Sequence, residues 1–293
     1  MFASCIRFAV PIALIVLTSA GPAAADAPFS FSTGNPDGLI ATASRPESGG
    51  KIEIESADDF VLTNTTTLTS ATFTGLLPAG APLSDIQDVV VEVYRVFPAL
   101  SDTTRTINVP TRANSPSDVA LTSRDAAVPG ELTFTPQITE SSFTAGNSVL
   151  NGIHPKPDQF TGGDLAVSGE EVQFSVAFTT PITLPADHYF FVPQVELASG
   201  NFFWLSAPKP IIPPGTAFPP GFTDLQSWIR NADLDPDWLR VGSDITGQGP
   251  FNAAFSLSGT VAPEPSTWAM MLVGFAAFAL VAYRARKTTM TIT

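Results

Sequence analysis

Asp233, Asp235 and Asp237 alternate along the chain in the one pattern that suggests a metal. Hard oxygen ligands spaced this way can curl round a calcium ion. The stretch D-L-D-P-D-W lacks the glycine that lets an EF-hand loop turn sharply, and no Glu follows at the bidentate position. Asp244, seven residues after Asp237, adds one more oxygen donor. Calcium on these aspartates is set against the simpler reading of an acidic surface loop, and no other cofactor is expected. Asp58-Asp59 is a doubled carboxylate, but acid/base work needs two carboxyl groups at a set separation across a substrate. Neighbours on a strand point to opposite faces, so a turn or strand-entry role is expected. His154 and His188 are the only histidines, and they lack any two-histidine metal spacing. No G-x-S-x-G nucleophile elbow occurs, so both are read as hydrogen-bonding loop residues. Phe202, Phe203, Trp204, Trp228 and Trp238 invite comparison with sugar-stacking platforms, yet aromatic rings are the ordinary filling of a core. No catalytic residue is assigned, and the protein is read as a non-enzyme.

The elements that must position these residues are strands. Charged residues are 14% of the chain, against about 25% in typical domains, and 27 Pro and 21 Gly favour turns over long helices. Strand-like runs recur from Lys51 to Val261. Lys51–Glu55 alternates, Asp59–Leu62 is short, and Thr67–Leu77 sets Leu68, Ala71, Phe73 and Leu76 among threonines. Val89–Phe97, Glu131–Thr135, Tyr189–Leu197, Phe202–Ser206 and Phe251–Val261 follow the same logic. In Glu171–Phe178 the residues Val172, Phe174, Val176 and Phe178 share one face, the period of a strand buried on one side. These runs predict an all-β fold, an antiparallel β-sandwich of jelly-roll type over 26–262. Pro193 suggests that Tyr189–Leu197 is an edge strand or bulged. Single helical turns are expected after Ser84 or Ser117, Trp228 is read in a short amphipathic packing segment, and residues 26–50 are read as a loosely packed lead-in.

Charge narrows the partners. Residues 26–265 hold all 27 acidic residues and ten basic ones, a net charge of −17. Such a surface repels phosphate backbones, so nucleic-acid binding is excluded as an expectation. The one cysteine, Cys5, lies in the first 25 residues, which leaves the body without a disulfide, a thiolate nucleophile or a Cys-based zinc site.

Two end segments carry addresses. Residues 1–25 read as a signal peptide, with Arg7 as the n-region and the 13 apolar residues Phe8 to Ala20 as the h-region. Ala23 and Ala25 supply the small residues that a signal peptidase needs, which predicts a mature start at Asp26. At the other end Pro263-Glu264-Pro265 precedes an uncharged apolar run. From Thr267 to Tyr283 this run has 17 residues, the lower limit for a membrane-spanning helix. Trp268 and Tyr283 flank it as interfacial rings, and Arg284, Arg286 and Lys287 favour the cytoplasmic side. Residues 288–293 form a short tail.

The segment VAPEPSTWAMMLVGFAAFALVAYRARK resembles the PEP-CTERM sorting signal of Gram-negative bacteria. The resemblance implies recognition by an exosortase, a membrane-embedded cysteine transpeptidase-like enzyme, with processing near Pro263-Glu264-Pro265. It further implies delivery to the cell surface or beyond, often where exopolysaccharide is made. The segments IESADDFVL, SVLNGIHP, ADHYFFVPQVEL and WIRNADLDPDWLRVG resemble a group of PEP-CTERM ectodomains, which implies fold and address and no activity. The expectation is an exported structural or adhesive protein, held in the inner membrane transiently and associated with exopolysaccharide or biofilm. A carbohydrate-binding module is the alternative and a secreted hydrolase the third.

Overall fold

The alternation of Val172, Phe174, Val176 and Phe178 with polar or small neighbours is realised as a long strand whose four apolar side chains are buried while Ser175 and Ala177 are exposed. That strand belongs to a computed structural model describing residues 27–97, 114–153, 161–208, 226–262, 272–281 and 283. In chain order the first strands are β1 Ala27–Ser32, β2 Ile40–Ala43, β3 Ile54–Leu62, β4 Thr66–Pro78 and β5 Ile86–Arg95. Then come β6 Thr122–Asp125, β7 Leu132–Ala145, β8 Asn147–Val149, β9 Val167–Leu184 and β10 Asp187–Leu197. The last are β11 Phe203–Ala207, β12 Trp228–Asn231, β13 Leu239–Arg240, β14 Asn252–Ala253 and β15 Phe255–Val261.

These strands make two sheets. The larger has nine strands, with the path β1-β15-β4-β11-β2-β8, β9 beside β4, β7 beside β9 and β14 beside β11. The smaller has six, in the order β13-β12-β3-β10-β5-β6. Pairing is antiparallel except between β2 and β8, which run parallel. The sheets pack face to face, as the main core cluster shows by mixing Phe73, Phe174, Trp204 and Phe255 from one with Phe60, Val91, Tyr189 and Phe191 from the other. Phe191 stacks on Phe255 at 5.1 Å and meets Trp204 edge-on at 6.0 Å, so aromatic contacts join the layers.

Several sequence expectations change here. Residues 26–50 supply β1 and β2 rather than a loose lead-in. Lys51–Glu53 lies outside the ladder, and the rest of that run fuses with Asp59–Leu62 into β3, nine residues all buried. The short packing segment at Trp228 is the strand β12, with Trp228 and Ile229 both buried. The helical turn near Ser84 is a 3-10 turn over Leu83–Asp85, and none forms over 115–119. β10 is a central strand between β3 and β5 and not an edge, while its register with β5 shifts at Glu196/Leu197, an irregularity of the kind expected of this run. The β3 ladder ends at the pair Phe191 and Asp58, so Pro193, two residues further on, is asked for no hydrogen bond on that side.

Gly75 in β4 shows how closely the layers fit. A Cβ there would meet the ring of Phe202 and the carbonyl of Phe203, both rigidly held. Gly75→Ala is expected to destabilise the body by about 1–3 kcal/mol through overpacking, read as a lowered midpoint of urea unfolding with an unchanged slope.

Candidate functional site

The body ends where the sorting segment begins. β15 runs between β1 and β4, and Ala27 of β1 pairs with Val261 of β15. The N–H of Ala262 then donates to the carbonyl of Thr65 at 2.8 Å, fixing the last residue before Pro263. Residue 27 and residue 261 therefore sit side by side at one end of one sheet edge. The residues expected to be processed, Ala23, Ala25, Pro263, Glu264 and Pro265, lie outside the described residues, as do Trp268, Arg284, Arg286 and Lys287.

Beyond that junction residues 272–281 and 283 are helical. Leu272, Val273, Phe275, Phe278, Val281 and Tyr283 are each at least 64% exposed, so this helix buries no apolar face on the body. Among the described residues no helix is long and apolar enough to cross a membrane, against the span expected over 267–283. The continuous described stretch, 272–281, rises about 15 Å, half the roughly 30 Å of a hydrocarbon core.

The strongest concentration of chemistry within the body lies on β3. Its alternation sends Asp58 and Asp59 to opposite faces, as expected of strand neighbours, but both are buried in mid-strand rather than in a turn. Asp58 faces the larger sheet. It accepts hydrogen bonds from Ser227 Oγ at 3.0 Å, from the N–H of Ala253 in β14 and from the N–H of Asp59. Burial, reinforced by the Asp59 carboxylate, holds the Asp58 carboxyl well above its usual range. Asp59 faces outward to His188, whose Nε2 is 3.0 Å from Asp59 Oδ2 with both side chains buried. His188 is thus a strand residue in a buried pair, not a loop residue. His154 lies outside the described residues.

Further along the same outer face, Glu55 meets Arg230 of β12 in a close ion pair and accepts from Tyr94 Oη at 2.6 Å. Glu92 of β5 accepts from the same hydroxyl at 3.0 Å. Arg230 also reaches Asp235 Oδ1 at 2.6 Å and lies 4.4 Å over the Trp238 ring. Burial alone would lower the Arg230 guanidinium, but the charge and hydrogen bond of Glu55, with Tyr94 and Asp235, together hold the group above its ordinary value. Two carboxyl groups hydrogen-bonded to one hydroxyl leave no room between them for a substrate, so this cluster acts as a polar staple across β12, β3 and β5.

Asp235 is therefore committed to Arg230, and Asp237 is buried with its N–H donating to the carbonyl of Leu234. Asp233 is exposed, and Asp244 takes Arg240 on both oxygens at 2.8 and 3.0 Å. Among the described residues no group of three or more His, Cys, Asp or Glu is placed to hold a metal. Asp235 and Asp244 are held by the arginines of β12 and β13. Of the five aromatics, Phe202, Trp204, Trp228 and Trp238 are at most 1% exposed and belong to the core, and Phe203 is half-buried.

The staple titrates in an unusual sense. Burial first, then the Glu55 charge and its hydrogen bond, push Glu92 up to about 8 from an ordinary 4.5. The folded chain therefore holds a proton that the unfolded chain releases. This contribution to stability is full below about pH 4 and is lost as pH rises through 8. His188 runs the other way, pushed down to about 4 by burial against a partial lift from Asp187. Its contribution is present above about pH 6.5 and is lost as pH falls through 4. Glu92→Gln keeps a donor for Glu55 and an acceptor for Tyr94 without needing a proton. It should stabilise the body by on the order of 2 kcal/mol near pH 8 and by almost nothing near pH 4, measured by urea unfolding at both values.

The described chain is thus a two-sheet β body with, further along, a helix whose apolar side chains are exposed. Residues 261–287 match the family described as the PEP-CTERM protein-sorting motif. The match begins at the residue that closes β15, and the motif implies exosortase processing of an exported, surface-directed protein. No curated protein and no solved structure matches the chain.

Proposed function

We infer that residues 1–25 act as a signal peptide cut by signal peptidase, and that residues 267–283 hold the chain in the inner membrane until an exosortase cuts near Pro263-Glu264-Pro265. Residues 26–262, a jelly-roll-like sandwich, then work at the cell surface or in the extracellular matrix. They act as a structural or adhesive, non-enzymatic body associated with exopolysaccharide or biofilm.

The observation that carries this reading is the pairing of β1 with β15. Because Ala27 lies opposite Val261, the described residues nearest the two junctions sit at the same end of the body. A domain hung this way presents both linkers to one membrane surface. The helix with its exposed apolar side chains gives the segment a reason to be in lipid and then to be removed, since a soluble protein seldom leaves such a surface in water. The staple satisfies its own charges and the large aromatics are core, which favours a structural body over a hydrolase or a sugar-stacking module. Replacing Pro263-Glu264-Pro265 with three alanines in the native producer is the test. The expected result is accumulation of the uncut form in the inner-membrane fraction and loss of most of the surface or medium form. Unchanged distribution would reject the reading.

A further inference from the structure

Arg45 follows β2 and is fixed by a two-way backbone bridge to Ile54, with N–H to carbonyl distances of 2.8 and 3.0 Å. Its side chain lines a pocket of about 340 Å³ between the β8 end and the turn after β12. Arg45 is 9% exposed, yet no carboxylate pairs with it among the described residues. Nη1 donates to Asn201 Oδ1 at 2.8 Å, and Nε is buried without a partner. In a body with 26 acidic residues and ten basic ones, a buried guanidinium without a counter-ion is anomalous. The other two described buried or half-buried arginines of the β12–β13 region each hold a carboxylate. Burying an unpaired cation is unfavourable, and burial indeed lowers the Arg45 pKa.

The rest of the pocket says what would complete it. Asn151 and Asn231 offer amide groups, while Ile54 and Leu234 supply aliphatic wall. The wall is stiff, because the N–H groups of Leu150 and Asn151 both donate to Asp164 Oδ2 at 2.7 and 2.9 Å. Asp233 stands exposed on the lining and disfavours a second negative charge. A guanidinium fork matches a carboxylate, and the volume suits a small ligand. We propose that this pocket binds the single carboxylate of a small, partly apolar molecule, with Arg45 as its counter-ion. The proposal rests on the pocket alone and is independent of how the chain is sorted.

The test uses the full chain in detergent micelles, with the arginine Nε–H signals followed by NMR during titration. Galacturonate and hexanoate are the probes, with galactose and hexanamide as their neutral counterparts and inorganic phosphate as the dianion-forming control. At least one carboxylate is expected to move the Arg45 Nε–H signal and to bind about tenfold or more tightly than its neutral counterpart. Galacturonate alone would mark an acidic sugar, and hexanoate alone an aliphatic acid. Arg45→Gln should abolish the response. Asn151→Asp, an exposed change that adds a repelling charge without touching the core, should weaken it about tenfold while leaving the thermal transition in place. Binding of neither carboxylate, equal binding of the neutral counterparts, preference for phosphate, or a folded Asn151→Asp variant that binds like wild type would each overturn the proposal.

Discussion

Arg230→Ala is expected to lower the stability of the body by about 3–5 kcal/mol, because it leaves a buried carboxylate without its counter-charge. Glu55 is 2% exposed and Arg230 is its ion-pair partner. The same guanidinium gives Nη2 to Tyr94 Oη at 3.0 Å and Nη1 to the carbonyl of Asp118 at 3.1 Å. Its plane also covers Trp238, adding a desolvated cation–π contact of about 2 kcal/mol. Arg230→Lys keeps the charge but not the fork, so it should recover only part of the loss. The double change Glu55→Leu with Arg230→Met removes both charges together, and its loss should be smaller than that of Arg230→Ala. Urea unfolding of the three variants decides this. A loss under about 1 kcal/mol for Arg230→Ala, the size of an exposed pair, would mean that water reaches the staple.

Asp58→Ala should be comparably damaging for a different reason. Asp58 is fully buried and ties the smaller sheet to β14 of the larger one through Ala253. Alanine strands the Ala253 N–H and Ser227 Oγ, at about 1–3 kcal/mol for each unsatisfied group. Asp58→Asn tests the geometry separately. Its amide oxygen, in the place of Oδ2, can still accept from both Ala253 and Ser227, while the amide nitrogen faces the N–H of Asp59, so the loss should be about half that of alanine. Since the Asp58 carboxyl is held above its usual range, the asparagine variant should also lose part of the wild-type decline in stability with rising pH. Equal unfolding midpoints for wild type and Asp58→Ala would remove the inter-sheet tie from the account.

The long strands could be read in advance because their apolar residues keep period two, as Val172 to Phe178 and Val89 to Val93 do. β2, β8 and β13 have four residues or fewer, too short to display a period. β3 misled for a physical reason. It is covered on both faces, so its alternation is of buried carboxylates with buried apolar groups, and period two ceases to separate inside from outside. Glu92 alternates with Val91 and Val93 and so lies on the opposite face of β5. That face is covered by the 115–121 segment and the turn after β12, contacts between distant parts of the chain that no local pattern reports. The signal that pointed to the staple was scarcity. With ten basic residues in the body, an arginine between Trp228 and Trp238 was worth weighing as a buried counter-ion. Within the alternating aspartates of 233–237, Asp235 pairs with Arg230, five residues earlier, a contact that the spacing does not report. The sorting segment needed no fold at all, since its order of motif, apolar run and basic cluster is itself the message.

That a removable segment delivers this body is tested most directly by the intact mass of the protein recovered from the surface or medium of its native producer. The account predicts a single chain that starts at Asp26 and ends within or just beside Pro263-Glu264-Pro265, lacking the helix at 272–281. A mass that retains residues 266–293 on the protein recovered there would contradict it.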